Sequence, residues 1–397
     1  MPASPSSLIA ALSNAPASLC AQELAIDLPA ALARLPDPRA RRGIRHQLVV
    51  VVTAAVCAVV AGYRSYTAIG EWVADLPADT AVILGIDADR RPSEAMIRRL
   101  LQALDPDLLA AAIGTWLAVR IPAPSPGSRR AIAVDGKTLR GSRSRDSPAR
   151  HVLAAAEHGT GAVLASTDVD TKTNEITRFG PLLDQITDLH EVVVTADALH
   201  CQRDHVAYLA SRGAYWILTV KGNQPSLYLQ LAGLPWRLVP DADRDTARGH
   251  GRREIRTLKI LSVSTGIDFP HAAQAIQIRR RRRRLDQPKR FTTETVYAIT
   301  NLLAHQAKPM HLADWIRGHW SIENKVHWVR DVTYDEDRSH IRTGAGSQVM
   351  AALRNAAIGA LRLAGRHQHR RRQPPPRPRR KPTTGPTRHH LTTLPGP

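Results

Sequence analysis

The 397-residue sequence predicts an α/β protein, with a mixed-sheet core that carries a β-rich insertion and follows an all-helical N-terminal domain. Three observations predict it. Residues 28–120 place apolar side chains three to four positions apart, residues 131–220 alternate short β-branched runs with helical segments, and a Pro/Ser/Gly stretch from Pro122 to Ser128 divides the two. With 43% hydrophobic residues, the chain can bury a sizeable core.

Residues 1–27 read as a disordered segment without the basic start of a secretory signal. Leu48 to Ala61 is an apolar run of 14 residues. Crossing a bilayer takes roughly 18–20, so this run reads as a buried helix and no membrane partner is expected. Ala68 to Leu76 and Ile97 to Leu104 keep helical spacing, and Pro92-Ser93 offers the second of these a start with serine as N-cap. Residues 121–130 form a linker to a second domain over 131–345.

In that domain Ala131–Val134, Val152–Ala156 and Ala162–Thr167 read as three strands, with Gly159-Thr160-Gly161 turning between the last two. Ile176–Ile186 reads as a helix, Val192–Ala196 as the fourth strand, Arg203–Ser211 as a helix and Tyr215–Val220 as the fifth strand. The alternation then breaks. Residues 225–290 form the β-rich insertion, with basic strands over Arg256–Val263 and Ala275–Arg282, and Val296–Thr300 closes it. A long helix over Leu312–Arg330 follows, and Gln348–Leu363 forms a core helix within residues 346–365. Residues 366–397 contain QPPPRPRRKP and read as a disordered, basic, Pro-rich tail.

The formal net charge is +20 and the pI about 10.8. The tail holds eight Arg, one Lys and no acid, which leaves +11 on the body. A run of six arginines, Arg279 to Arg284, lies inside that body and is compatible with either a solvated disordered face or a phosphate-binding one. A chain so charged is expected to bind polyanions with a steep salt dependence. Three cysteines without a CxxC supply neither a disulfide framework nor a thiolate zinc site, and a cytoplasmic location is expected.

Asp135 closes the first strand, Asp197 closes the fourth, and Glu323 lies on the late helix. Taken singly, each has a plain structural reading. Asp135-Gly136 is a strong hairpin-turn pair, Asp197 a helix N-cap, and Glu323 an exposed helical glutamate. Together they suggest chemistry, because strand ends gather at one edge of an open sheet and close carboxylates repel unless cations neutralise them. Mg2+ suits such oxygen ligands, with Mn2+ as a substitute, and two ions about 4 Å apart serve in-line phosphodiester displacement. His319, Glu323 and His327 share a helix face at i, i+4 and i+8, with Trp320 and Asn324 alongside. A zinc reading of this stripe lacks the HExxH spacing. Lys137 and Arg140 after the first acid, and Lys221, Asn223 and Gln224 after the fifth strand, are candidates for phosphate or base contact; an ordinary turn is the alternative.

AVDGKTLRGS, VTADALHCQ, WILTVKGNQ and HWSIENKVHWVRDVTYDEDRSHIRTGAG followed by LRNAAIGALR resemble, in order, the signatures of ISAs-type insertion-sequence transposases, a group that includes the H-repeat-associated proteins. LPDPRARRGIRHQL, GYRSYTAIGEW and PSEAMIRRLLQALDP resemble the helical domain that precedes the catalytic core there. The resemblance spans Leu28 to Leu363. It implies a DDE transposase with an RNase H-like core, in which Asp135, Asp197 and Glu323 are the catalytic ligands of two Mg2+ ions. It further implies double-stranded DNA as partner, both terminal inverted repeats and target DNA, a nucleoid-associated location, and a homodimer in the synaptic complex. Related transposases carry an arginine four residues before the glutamate and a lysine seven after it. Here those places hold His319 and Arg330, which become candidates for DNA contact together with Trp320 and Asn324. The basic tail departs from the family pattern.

Overall fold

The computed structural model describes residues 24–364 apart from 43, 146, 170–173, 250, 264–265 and 288–289, so the expected basic tail and most of the N-terminal segment lie outside the described residues. The helical region comprises α1 (Leu28–Leu32), α2 (Leu48–Val60), α3 (Tyr66–Ala74), α4 (Ala78–Ile83), α5 (Glu94–Ala103) and α6 (Pro106–Ala118). Ser93 caps α5 by accepting from the Met96 N–H, and Asp105 caps α6 ahead of Pro106, whose fixed φ suits a first helical turn. Helix α2 is apolar all round and buries eleven of its thirteen residues, which makes it a core helix. Among the described residues no helix is long and apolar enough to cross a membrane.

The sheet has nine strands: β1 (Ala131–Leu139), β2 (Arg150–Glu157), β3 (Val163–Val169), β4 (Val193–Ala196), β5 (Tyr215–Val220), β6 (Asp243–Gly249), β7 (Arg252–Ser262), β8 (Gln274–Arg284) and β9 (Thr292–Thr300). Their order is β3-β2-β1-β4-β5-β9-β8-β7-β6. Within the first five, β1, β4 and β5 run parallel and β2 is antiparallel to both neighbours, the RNase H-like arrangement that the resemblance implies. Helices α7 (Glu175–Asp184) and α8 (Arg203–Ser211) make the crossovers into β4 and β5. The insertion, which opens with α9 (Pro225–Ala232), forms no sheet of its own; β9 pairs antiparallel with β5 and extends the central one.

Two local expectations give way. The Asp135-Gly136 pair makes no hairpin turn, because β1 continues through it to Leu139 with Asp135 opposite Ala154 and Gly136 opposite Leu153. Glycine is needed there for space: a Cβ would lie 2.5 Å from Glu175 Oε1 and 2.6 Å from His151 Nε2. The six-arginine run is also ordered, as the outer half of β8, with ladder partners on β7 throughout and on β9 as far as Arg282.

The last helix, α11 (Gly346–Leu363), ties the two regions together. It packs on α2 and α6 and on the back of β2 and β3, and one continuous apolar cluster runs from Leu24 to Leu361. The helical region is therefore a layer on the sheet with a shared core. Helix α6 lies so close to β3 that a Cβ on Gly114 would sit within 2 Å of the Leu164 carbonyl oxygen, 1.9 Å by ideal geometry. Since that neighbour is backbone, Gly114→Ala is expected to destabilise by about 1–3 kcal/mol in urea unfolding.

Candidate active site

The register of β1 and β4 places the two aspartates. The parallel pairing ends at Val134 opposite Ala196, and the next residue in each case is the acid, so Asp135, still within β1, and Asp197, just past β4, stand at matching positions on the same edge. Asp197 also accepts from the Leu199 N–H at 2.9 Å and caps the short turn Ala198–His200. Its cap reading and its place at the site coexist. Asn223 donates to the Ala198 carbonyl at 2.6 Å and Gln224 to the Cys201 carbonyl at 2.9 Å. Both side chains thus tie the end of β5 to the turn that carries Asp197.

Glu323 reaches this edge from a helix that changes pitch. Helix α10 (Pro309–His319) continues into π-helical turns over Glu323–His327 and Val329–Thr333, a distortion frequent at functional sites. Glu323 Oε2 lies 3.1 Å from His327 Nδ1, which is itself 3.7 Å from Asp135 Oδ2. One donor atom from each of Asp135, Glu323 and His327 falls within 4.8 Å of the others.

The electrostatics are strained in the direction a cation would relieve. Burial, reinforced by the charges of Asp197, Glu323 and Glu175, pushes the Asp135 carboxyl up to about 7. Glu323 is held below its ordinary value by the hydrogen bond from His327, with the Lys137 charge adding to it against burial. Burial keeps His327 below the usual imidazole range, and the ring donates Nδ1–H to Glu323. A half-open set of two carboxylates and a buried imidazole, with one carboxyl forced towards neutrality, fits a divalent ion of the Mg2+ or Mn2+ type.

A pH dependence follows. The folded value of Asp135, about 7, lies above its ordinary value of 3.8. Between those values the folded state binds the extra proton, so this group's contribution to stability is present at low pH and is lost as pH rises towards 7. In chelator, Asp135→Asn is therefore expected to be more stable than the parent at pH 8 and to lose that advantage near pH 4, measured by urea unfolding at both.

The remaining expected contacts divide. Lys221, Trp320 and Asn324 are exposed around the site, Trp320 at 65%. Arg140 is exposed, 3.7 Å from Asp337, in an open concavity with Arg143, Arg145, Arg338 and Arg342. Lys137 is largely buried, with Nζ 2.6 Å from Asp331 Oδ2, and acts on Glu323 as a fixed charge rather than reaching outward. His319 turns into the sheet, with Nδ1 3.2 Å from Thr195 Oγ1, and burial lowers it to about 4; a neutral ring so placed offers no cation to phosphate. Arg330 is corrected outright. It is 1% exposed and bound to Glu336 at 2.8 Å, because the π-helical turns rotate it into the core.

Glu175 is the acid that pattern reading misses. At the start of α7 its Oε1 lies 2.7 Å from His151 Nε2 and its Oε2 3.3 Å from His200 Nε2. Burial opposes its charge, yet the two histidine hydrogen bonds outweigh burial and hold it at about 2. His205 steadies His200 from behind and stacks on Phe179 at 4.1 Å between centroids. Glu175 thereby joins β2, α7 and the Asp197 turn against Gly136. Its one signal in the sequence is its place at the start of the helix between the third and fourth strands.

Residues 126–359 match the family described as "Transposase DDE domain", and residues 30–117 match the one described as "DDE_Tnp_1-associated". Over 340 residues the chain is 28% identical to "H repeat-associated putative transposase YhhI" of Escherichia coli (strain K12), covering 82% of this chain and 88% of that protein. It is 27% identical over 348 residues to "Putative transposase YncI" of Escherichia coli O157:H7, covering 83% and 85%. A cryo-EM structure of a piggyBac transposase synaptic complex with hairpin DNA aligns over 91% of this chain and 76% of that one, at 11% identity and a TM-score of 0.38, too loose a likeness to argue from. Matched over more than half its length, with all three acids inside the matched span, the chain belongs to the Transposase DDE domain family.

Proposed function

We propose that the protein binds the terminal inverted repeats of its own insertion sequence, cleaves the phosphodiester at their 3' ends and joins the freed hydroxyls to target DNA. The observation that carries this reading is the register: Asp135 and Asp197 follow directly on the last parallel pair of β1 and β4, and Glu323 is delivered to the same edge. When bound there, divalent ions supply Lewis acidity at the attacking and leaving oxygens.

The protein's own groups hold that geometry. Asp135, Asp197 and Glu323 would be the ligands of Mg2+ or Mn2+. His327 aims the Glu323 carboxylate towards Asp135, and Lys137, pinned by Asp331, sets the local field. Asn223 and Gln224 fix the Asp197 turn, while Lys221, Arg140, Trp320 and Asn324 face the solvent from which DNA would approach. Pairing two ends before transfer calls for a homodimer in the reacting complex.

Incubating the protein with labelled end DNA, a target plasmid and Mg2+ tests the proposal. Joined product is the expected result. Cleavage without joining would make it a nuclease, and no divalent-dependent cleavage of any end substrate would leave a DNA-binding protein without chemistry.

A further inference from the structure

In a strand, alternate side chains point to opposite faces, and cross-strand partners share a face. The outer halves of β6 to β9 therefore sort the arginines into two sets. On one face Glu254 lies opposite Arg282 and binds Arg256 at 2.5 Å, Arg280 at 2.9 Å and Arg282 at 3.2 Å. Glu294 adds a contact to Arg282 at 3.6 Å, and Asp243 and Asp245 engage Arg317 of α10. That face is largely paired within the fold, with Arg284 bound to Asp286 at 2.7 Å, although Arg252 on it has no ion pair among the described residues.

The opposite face is not. The register puts Arg253 opposite both Arg283 and Arg248, Arg279 opposite Thr257 and Thr295, Arg281 opposite Ile255 and Thr293, and Arg244 opposite Thr257. This surface contains six arginines, several threonines and no carboxylate, and among the described residues none of the six arginines forms an ion pair. Arg281 and Arg283 are propped over the Phe291 ring at 4.5 and 5.5 Å. Like charges placed directly across a ladder destabilise it, so the fold gains nothing from this arrangement.

Its position is informative. Strand β9 meets the end of β5 at Val220 opposite Tyr297, so Thr292 to Val296 run on past the edge where Asp135 and Asp197 lie. At about 3.3 Å per residue the ribbon reaches roughly 16 Å beyond it. We propose that this single face, formed by Arg244, Arg248, Arg253, Arg279, Arg281 and Arg283, is an arm that grips the phosphate backbone of duplex DNA beside the scissile site. Guanidinium forks and threonine hydroxyls are the groups that meet phosphate oxygens, and they fix register without reading sequence. The inference rests on the DNA-acting function above and adds which surface holds the duplex.

Because the two faces alternate along one strand, the experiment has a built-in control. Arg279→Thr/Arg281→Thr/Arg283→Thr and Arg280→Thr/Arg282→Thr/Arg284→Thr remove the same charge from opposite faces. Binding of a plain labelled duplex is measured without divalent metal from 50 to 200 mM salt. The first variant is expected to lower the slope of log affinity against log salt by about 2.7, so that the parent loses about fortyfold more affinity than the variant over that range. The second is expected to change the slope by less than about one. Thermal melts establish that both are folded, and Arg281→Gln alone, expected to lower the slope by about 0.9, stands in if a triple variant is not. Equal slope changes from both faces, or none from the first, overturn the arm while leaving the functional reading intact. A parent that binds no duplex at all overturns that reading and the arm together.

Discussion

Asp135→Asn, Asp197→Asn and Glu323→Gln are each expected to lower divalent-dependent DNA cleavage by about a thousandfold or more, a loss of about 4 kcal/mol of transition-state stabilisation. Each substitution keeps the size of the side chain and removes one anionic oxygen donor. The Asp135 change removes the donor shared between the aspartate pair that follows the last β1–β4 rung and the group formed with Glu323 and His327. Duplex affinity is expected to stay within about twofold, because removing an anion does not weaken a phosphate contact. Single-turnover cleavage of end DNA, with binding measured in parallel in chelator, separates the two effects. Normal cleavage and joining by any one of the variants would remove that residue from the metal site.

Glu336→Gln is expected to destabilise the protein by about 3–5 kcal/mol. Glu336 Oε2 receives Arg330 at 2.8 Å and Oε1 receives Arg354 at 2.7 Å, with all three side chains at most 3% exposed. Burial alone would oppose ionisation of Glu336, and the two guanidinium groups reverse this and hold its pKa below the ordinary value. Without the carboxylate, two cations remain buried against each other. Replacing all three side chains with Met, Leu and Met of similar volume is expected to cost much less, since the desolvated charges then vanish together. Urea midpoints for the single and triple variants decide it, and a single substitution costing under about 1 kcal/mol would mean that water reaches the cluster.

These predictions draw on different levels of the chain. The five core strands are legible because runs such as Val192–Ala196 and Tyr215–Val220 are β-branched and bounded by turn residues. The placement of Asp135 and Asp197 directly after the last parallel pair of β1 and β4 follows from those boundaries. The fate of the Asp-Gly pair does not, since a hairpin signal is local and the ladder with β2 that overrides it is tertiary. A regular helix over 312–330 would keep Arg330 near the Glu323 face, and nothing in the composition announces the π-helical turns that carry it inward. The six-arginine run illustrates the same limit. Composition treats the six alike, whereas Glu254, supplied by a neighbouring strand, pairs with Arg280 and Arg282, and Asp286 pairs with Arg284. Glu175 is hidden for the opposite reason: an acid in a first helical turn already has a sufficient local explanation in the helix dipole.

The place of α11 bears on how the molecule is made. Its apolar surface fills the space between α2, α6 and the back of the sheet, although it belongs to the last part of the described chain. A growing polypeptide that has delivered both aspartates and Glu323 still lacks the wedge that seals them from behind. Until that wedge leaves the ribosome, the Leu-rich and Val-rich surfaces of the helical layer and the sheet face water with no partner, the condition in which long chains recruit chaperones or associate wrongly. Closure of the core must therefore wait for the synthesis of this helix, and a nascent chain halted before residue 346 would have all three carboxylates of the proposed site and no stable fold to hold them.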